Sequence, residues 1–332
     1  MKMKWASGFS IAALGMATLA IGQAAPPPAP QPAVKTQPKL QLQTPGQPPA
    51  PAPPVKFPPV DPSAFTATAP TVSTVNAFLK QIWGYDSNRK WQVQAIQKTD
   101  APGVSRVVVL VAEEGVSRQP GQTTFFALPD GMHAIAGNEV MPFGPDPYGA
   151  NRSKLSAGAN GPYRGATAKT LNLVEFADLQ CPHCKEAEAT MDRLVQNYPT
   201  AHVVFENFPL TQIHPYAEKA AEYGVCVAQL KGNAAFFQYV QAVFDNQAKL
   251  NAETGDQTLN DAAVKAGVDA AAEKKCLENP ATKATVAASI KLGYDVGVNE
   301  TPMLFVNGRP LPVNALPYNV LKQIVDFAAA QK

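Results

Sequence analysis

The sequence predicts an α/β protein with two folded parts, and three observations lead to this prediction. A strand-like run, "KTLNLVEFAD", leads directly into "CPHC" and the helical pattern after it. Residues 215–297 then carry an almost continuous helical pattern rich in Ala, Lys, Glu and Gln. Ahead of both, one amphipathic helix precedes several β-branched runs, which is typical of a small α+β domain. We therefore expect a small α+β domain, followed by an α/β domain that contains inserted helices.

The first 24 residues have the pattern of a cleavable secretory signal. Two lysines within the first four positions precede a mostly apolar run at 9–21, and small residues follow in "IGQAAPPP". The apolar run is short for a membrane span, although an uncleaved N-terminal anchor is the alternative. We expect cleavage after Ala24 or Ala25, and export to the periplasm or another compartment outside the cytoplasm.

Two linkers are expected from composition. Residues 25–64 are rich in Pro and Ala, and half of the 32 prolines of the chain lie between Pro26 and Pro70. Such a segment cannot bury a core and favours an extended, polyproline-like spacer. A second linker is predicted at 145–167, where Gly, Asn, Ser and Pro are frequent. The segment between the linkers, 65–144, is predicted to be the small α+β domain.

The elements of this N-terminal domain follow from hydrophobic spacing. Apolar residues from Val72 to Ile82 predict a helix that Thr71 or Ser73 caps. "KWQVQAI" and "VSRVVVLVA" predict strands, and "TTFFALPDGMHAIAG" predicts a hairpin with Asp-Gly in its turn. This segment contains no cysteine and a single histidine in the sequence, so we expect the chemistry of the protein elsewhere.

The two cysteines of "CPHC" lie where the predicted strand meets the predicted helix. Pro182 suits the first helical turn, where its missing N–H is not needed. A thiolate at Cys181 would face free N–H groups and the positive end of the helix dipole, which lowers its pKa. His183 can add a hydrogen bond or a positive charge. Cys184 lies one turn further and is expected to be the buried, resolving thiol.

Two other uses of this motif account for the residues less well. A zinc site needs about four ligands, whereas one CxxC supplies two, and His202 and His214 are distant in the sequence. A structural disulfide within the motif would close a very short loop and stabilise little. We therefore expect neither a metal nor a cofactor. The formal net charge of +2 is spread thinly, which argues against nucleic acid as a partner.

Three separated motifs resemble the DsbA-like branch of the thioredoxin superfamily, in the order of that family. They are "VEFADLQCPHC", "NFPLTQIHPYAEKAAEYGVCVAQLKGNAAFFQYVQAVF" and "TPMLFVNGRPL". The resemblance covers residues 168–332. It implies a thioredoxin-like fold with a helical domain inserted at about 215–297. It also implies a protein thiol:disulfide oxidoreductase that acts on cysteine-containing client proteins.

The resemblance also assigns roles to residues near the motif. Cys181 matches the nucleophilic cysteine, and Cys184 matches the resolving cysteine. His183 resembles the residue that stabilises the thiolate. Glu175 matches a buried acid that relays a proton to or from Cys184, although a solvated glutamate at the sheet edge is the alternative.

Substrate binding is assigned in the same way. Thr301 and Pro302 match the cis-proline pair of the family, which lies against the CxxC and offers backbone groups to an extended substrate strand. Pro182 is placed with them in the substrate-binding surface. The alternative for "ETP" is a proline that simply begins a strand.

The other two cysteines, Cys226 and Cys276, both lie in the helical insertion. Each sits in a helical pattern without the strand-to-helix junction that activates Cys181. We expect a structural disulfide, which the chain-entropy model values at about 4 kcal/mol for a loop of about 50 residues. A second redox pair is the alternative.

The direction of the chemistry stays open between three hypotheses. CPHC and the large insertion favour dithiol oxidation of clients, as in DsbA. The N-terminal domain loosely resembles the dimerisation module of DsbC and DsbG, and Thr before the cis-proline also occurs in that branch, which favours a dimeric isomerase or reductase. A non-enzymatic chaperone or assembly module is the third. The implied partners are client proteins, a membrane or soluble redox partner, and a second copy bound through the N-terminal domain.

Overall fold

The computed structural model describes residues 54–116 and 118–331. These residues form two five-stranded sheets. The expected signal at 1–24 and most of the expected linker at 25–64 lie outside the described residues. One sheet belongs to the N-terminal half of the described chain and the other to the C-terminal half.

The N-terminal sheet is an antiparallel meander covered by one helix. Helix α1 spans Val72–Trp83, and the Oγ1 of Thr71 caps it by accepting a hydrogen bond from the Thr74 N–H at 3.1 Å. Val75 and Phe78 of α1 are buried against the sheet. The strands, in their order across the sheet, are β1 (Arg89–Lys98), β2 (Ser105–Glu113), β3 (Gly121–Ala127), β4 (His133–Ala136) and β5 (Glu139–Pro142).

The predicted hairpin between β3 and β4 is confirmed, with the Asp130-Gly131 pair in its connection. Gly131 has a φ of 68°, a conformation that glycine adopts without strain. The Asp130 Oδ1 accepts hydrogen bonds from the N–H groups of Met132 and His133. The local chemistry of Asp and Gly therefore sets this turn, as expected from the sequence.

The C-terminal sheet has the strand order β10-β9-β7-β8-β6. Its strands are β6 (Tyr163–Gly165), β7 (Leu171–Ala177), β8 (Ala201–Asn207), β9 (Met303–Val306) and β10 (Arg309–Pro312). Strands β7 and β8 are parallel, and helix α3 (Pro182–Asn197) connects them. The other pairings are antiparallel. This arrangement is the α/β unit that the sequence predicts.

The helical insertion is confirmed between β8 and β9. It consists of α4 (Ala217–Lys231), α5 (Asn233–Asp245), α6 (Gly255–Lys265), α7 (Ala270–Leu277) and α8 (Pro280–Asp295). Helix α9 (Tyr318–Ala330) follows β10. Within the described ranges, none of the helices combines the length and the apolar composition needed to cross a membrane.

The segment predicted as a second linker, 145–167, is instead part of the C-terminal fold. It contains helix α2 (Gly149–Gly158) and strand β6, which pairs with β8. Leu155 is buried beside Leu292 of α8. The composition of this segment does not indicate a folded element, because only one apolar side of the short helix is buried. The other residues of the helix are mostly polar and exposed.

The two faces of the C-terminal sheet are covered by different helices. On one face, Leu171 and Leu173 of β7 pack with Met191 of α3. On the other face, Val174 and Phe176 pack with α2 and α8. Since side chains alternate along a strand, the residues at 171, 173, 175 and 177 point toward the α3 side of the sheet.

Arg309 is one of the residues that join the two halves of the described chain. The Arg309 guanidinium, on β10, donates to the carbonyl oxygens of Gln81 and Ile82 at 3.2 and 3.0 Å. It also lies 4.9 Å from the ring centroid of Tyr85. These carbonyls end α1, so the cation sits where the helix dipole is negative. The contact places the N-terminal domain against the β9–β10 hairpin.

Candidate active site

The CxxC motif begins helix α3 at the end of the central strand. Strand β7 ends at Ala177, and Cys181 is the N-cap of α3, with Pro182 as the first helical residue. The carbonyl of Cys181 accepts the first helical bonds, from the N–H groups of Cys184 and Lys185 at 3.2 and 3.3 Å. Proline is favoured here because the first helical N–H has no partner within the helix.

Cys181 has the properties of an attacking thiol. It is a free thiol with 4% exposure. A hydrogen bond from the Cys184 thiol lowers the pKa of Cys181 to about 5, against the effect of burial, and the backbone N–H groups of Cys184 and His183 add to the lowering. A sulfur with this pKa is a thiolate at neutral pH.

Cys184 has the opposite character. It is a free thiol with 1% exposure, and burial, together with the neighbouring Cys181 sulfur, raises its pKa well above the ordinary value. The N–H of Asp178 donates to its sulfur at 3.3 Å. The two thiols therefore differ in the way that an attacking and a resolving cysteine differ.

The Thr301-Pro302 peptide lies against the CxxC, and it is cis. The Cys181 sulfur lies 3.7 Å from the carbonyl oxygen of Thr301. Strand β9 begins at the next residue, Met303, and pairs with β7. The Oγ1 of Thr301 is buried and has no hydrogen-bond partner among the described residues. The sheet register thus brings together two motifs that are separated by more than a hundred residues.

His183 is exposed and turns its imidazole toward its own helix. Its Nδ1 lies 3.1 Å from Glu186 Oε2, and its side chain is 67% exposed. This hydrogen bond raises the pKa of His183, and the charge of Glu186 and the nearby Cys181 raise it further. Its main-chain carbonyl accepts from the Asn314 side chain at 2.7 Å. The backbone N–H of His183 contributes to lowering the pKa of Cys181.

Glu175 is buried rather than solvated, with 2% exposure. It lies on the α3 side of β7, opposite Leu304 of β9. Burial raises the pKa of Glu175 to about 8, the charge of Glu188 adds to this rise, and the charge of Arg164 opposes it. The family resemblance suggested this residue, and it did not indicate the charged neighbours.

Those neighbours, Arg164 and Glu188, form a half-buried ion pair beneath α3. The Arg164 Nη1 donates to Glu188 Oε1 at 2.5 Å and to Asp192 Oδ1 at 2.9 Å. The guanidinium also lies 4.6 Å from the ring centroid of Phe237. Sequence reasoning missed this cluster because Arg164 lies in the segment taken for a linker. Glu188 could have been found from the sequence, because it lies four residues after Cys184. That spacing places both residues on one face of α3.

A second missed group ties the loop before Cys181 to the helical insertion. The Asp178 side chain contacts His214 at 2.7 Å. The Gln180 side chain donates to Leu250 O at 2.9 Å, and Gln247 Nε2 donates to Cys181 O at 2.9 Å. No local pattern in the sequence predicts these contacts between distant segments. Side chains and backbone groups of the insertion therefore hydrogen-bond to the loop that precedes Cys181 and to Cys181 itself.

The predicted disulfide between Cys226 and Cys276 is present and joins α4 to α7. Cys226 is fully buried, and the Thr282 hydroxyl lies within 3.7 Å of both sulfurs. This pair lies within the insertion, whereas the free pair lies beyond the C-terminal end of the central strand β7. Across the described chain, no three His, Cys, Asp or Glu side chains are grouped as a metal site requires.

The candidate active site lies in a region of the chain that matches a known protein family. The family model Thioredoxin_4, described as Thioredoxin, matches residues 158–326, just over half of the chain. The match begins at the end of α2 and includes β6, in agreement with the sheet. The matched region also contains both cysteine pairs and the cis-proline.

Curated relatives match about half of the chain. The Na(+)/H(+) antiporter NhaA 3 of Salinispora tropica is 29% identical over 172 residues, which cover 51% of this chain and 25% of the antiporter. The Na(+)/H(+) antiporter NhaA 1 of Mycolicibacterium vanbaalenii is 31% identical over 148 residues, which cover 44% of this chain and 23% of the antiporter. The chain spans about a quarter of the length of these relatives.

Two solved structures show the extent of similarity to this chain. Proteus mirabilis ScsC, in a transitional conformation, is 22% identical, with 55% of this chain and 80% of that chain covered and a TM-score of 0.46. The thiol-disulfide exchange protein α-DsbA2 of Wolbachia pipientis is 24% identical, with 54% and 96% covered and a TM-score of 0.46.

The family match, the sheet order and the free CxxC at the start of α3 agree with one another. The inserted helices lie between β8 and β9. The chain belongs to the Thioredoxin family, and its thioredoxin fold carries a helical insertion.

Proposed function

We propose that this protein is an exported dithiol oxidase, which transfers its Cys181–Cys184 disulfide to cysteine-containing client proteins. The client thiolate attacks Cys181 Sγ, a mixed disulfide forms, and Cys184 leaves as a thiolate. A second client thiolate then attacks the client sulfur and releases Cys181. The client loses two electrons, and the CxxC gains them.

The observation that carries this proposal is the contrast between the two thiols. The pKa of Cys181 is lowered to about 5 and that of Cys184 is raised. A stabilised Cys181 thiolate favours the reduced form of the pair, so the disulfide form is a strong oxidant. The same stability makes Cys181 a good leaving group in the final step.

The surrounding residues receive roles that follow from their positions. Thr301 and Pro302 lie against Cys181 and offer backbone groups to an extended client segment, beside the exposed Pro182. The buried Glu175 exchanges a proton with Cys184. A redox partner, membrane-bound or soluble, must reoxidise the pair after each turnover.

The direct test mixes the oxidised protein with a reduced, unfolded client that has two cysteines. We expect stoichiometric formation of the client disulfide, measured by mass after alkylation. Cys181→Ser should abolish it, and Cys184→Ser should trap the client as a mixed disulfide. Asn197→Ala, at the far end of α3, is the matched control and should react like the wild type. Failure of the oxidised protein to oxidise the client would refute the oxidase proposal.

A second candidate, a dimeric isomerase or reductase, is favoured by the open edge of the N-terminal sheet. Strand β5 pairs with β4 and ends the sheet, and Val140 on it is 65% exposed. A second copy that pairs along this edge would bury that side chain. The same fold would then place two active sites in one assembly.

The solution mass of the full chain separates these two candidates. A dimer that becomes monomeric in Val140→Lys would support the isomerase, together with refolding of a client that contains wrong disulfides. Val264→Lys, at an exposed valine of the helical insertion, is the matched control. A monomer in all three proteins would support the oxidase. Export is tested separately by fractionating cells that produce the full chain.

A further inference from the structure

The Asp178 carboxylate is buried immediately before the CxxC, and its oxygens contact three groups. Asp178 is 1% exposed. Its Oδ1 accepts from the Gln180 N–H at 2.7 Å, and its Oδ2 accepts from the Leu210 N–H at 2.8 Å. The Oδ2 also lies 2.7 Å from His214 Nδ1. A buried charge is costly unless it is fully hydrogen-bonded. This carboxylate is hydrogen-bonded by two different segments of the chain.

The backbone of the same residue reaches the buried thiol. The Asp178 N–H donates to Cys184 Sγ at 3.3 Å. The direction of that N–H depends on the loop between β7 and α3, and the carboxylate fixes this loop from two sides. One side is its own turn at Gln180, and the other is the β8–α4 connection, which contains Leu210 and His214.

We propose that Asp178 and His214 are a positioning pair, which holds the Asp178 N–H on Cys184 Sγ and thereby governs how fast Cys184 takes part in disulfide exchange. This inference rests on the proposed function and adds to it. Neither side chain touches the reacting sulfurs, so both act through the loop backbone.

The chemistry requires such a donor at Cys184. When the client thiolate attacks Cys181, the Cys181–Cys184 bond breaks and negative charge develops on Cys184 Sγ. In the reverse step, Cys184 must become a thiolate before it attacks Cys181 Sγ and expels the client thiolate. Burial opposes the charge on Cys184 in both directions. An oriented N–H stabilises that charge, as donors do at other developing anions.

The test follows the reduced protein as it reacts with an aromatic disulfide that has a coloured thiolate product. Attack by Cys181 releases the first coloured thiolate and leaves a mixed disulfide. Attack by Cys184 on Cys181 Sγ releases the second. We expect Asp178→Asn to slow the second release about tenfold and the first less than about twofold, since a hydrogen bond to a charged group is lost at Cys184 only. His214→Gln, which keeps the carboxylate, should slow the second release by about threefold.

Glu206→Gln is the matched control. Glu206 is also buried, and it also joins two segments by accepting from the Gly161 N–H at 2.8 Å and from the Ser289 hydroxyl. It should leave both releases unchanged. The proposal is wrong if both phases slow equally in the Asp178 and His214 variants, or if neither changes. If Asp178→Asn does not fold, His214→Gln alone decides. A wild-type protein that releases only one coloured thiolate would instead overturn the proposed exchange function.

Discussion

Arg164 on β6 and Glu188 on α3 form an ion pair on the side of the sheet that carries Glu175, with side chains 15% and 12% exposed. Glu188 lies one helical turn beyond Cys184. The pair therefore connects the edge of the sheet to the helix that holds the thiols. Its cation also faces Glu175 and lowers the pKa of that carboxyl against the effect of burial.

Replacing Arg164 should destabilise the fold strongly. Arg164→Met would leave the half-buried Glu188 carboxylate without its cation, and an unpaired group of this kind costs about 1 to 3 kcal/mol. The free energy of unfolding, measured with urea, checks this. Arg193→Met removes an exposed arginine of the same region, which lies 3.6 Å from the Tyr318 ring centroid, and should cost less than about 1 kcal/mol. Adding Glu188→Gln to Arg164→Met should recover part of the loss, and no recovery would argue against the pairing.

Glu175 should make stability depend on pH. Its pKa in the fold is about 8, against 4.5 in its ordinary state. The folded protein therefore binds the proton more tightly, and this group destabilises the fold progressively as pH rises from about 4.5 to 8. Glu175→Gln should remove that loss, with an upper limit of about 5 kcal/mol at pH above 8.

Unfolding measured across this pH range compares the wild type with Glu175→Gln. The two curves should agree at acid pH and separate with the variant more stable at alkaline pH. Any change in the rate of Cys184-dependent exchange near pH 8 should disappear in Glu175→Gln. Curves that stay parallel would show that Glu175 ionises normally and is not the proton carrier of this site.

The local elements of the fold could be predicted from the sequence, and the contacts between distant segments could not. The Asp130-Gly131 turn and the start of α3 at Pro182 depend on local chemistry. The place of Thr301-Pro302 came from resemblance to a family, and the pairing of Cys226 with Cys276 came from their shared place in the helical insertion. Arg164 was missed because a three-residue edge strand has no periodicity of its own, and its partners lie on a helix far along the chain.

The Asp178–His214 contact is a second example of this limit. Asp178 follows a strand and precedes a helix, where an aspartate is common as a capping or turn residue. Nothing in its immediate sequence indicates a partner in the β8–α4 connection. Only the parallel pairing of β7 with β8 brings Phe208 N–H to Ala177 O, and with it the loop that carries His214.

Removing the disulfide of the insertion should lower stability without abolishing exchange. The Cys226–Cys276 bond closes a loop with a sequence separation of 50. Cys226→Ala combined with Cys276→Ala should lower the free energy of unfolding by about 4 kcal/mol in the chain-entropy model. Both releases from the aromatic disulfide should remain within about twofold of wild type, since the CxxC is unchanged. A loss of exchange in a folded double variant would favour a second redox pair instead.

Glu273 of α7 is a buried carboxylate of the insertion, and both of its oxygens lack a hydrogen-bond partner within the described residues. Burial raises its pKa to about 7 from 4.5. The folded state thus holds the proton more tightly. The group destabilises the fold increasingly as pH rises from about 4.5 to 7, and fully above that range.

Glu273→Gln should raise the free energy of unfolding at about pH 8 by up to about 3 kcal/mol, and should change it little at about pH 4. Glu278→Gln, at an exposed glutamate beside the end of the same helix, should be neutral at both. An equal gain at both pH values would mean that charge burial is not the cause.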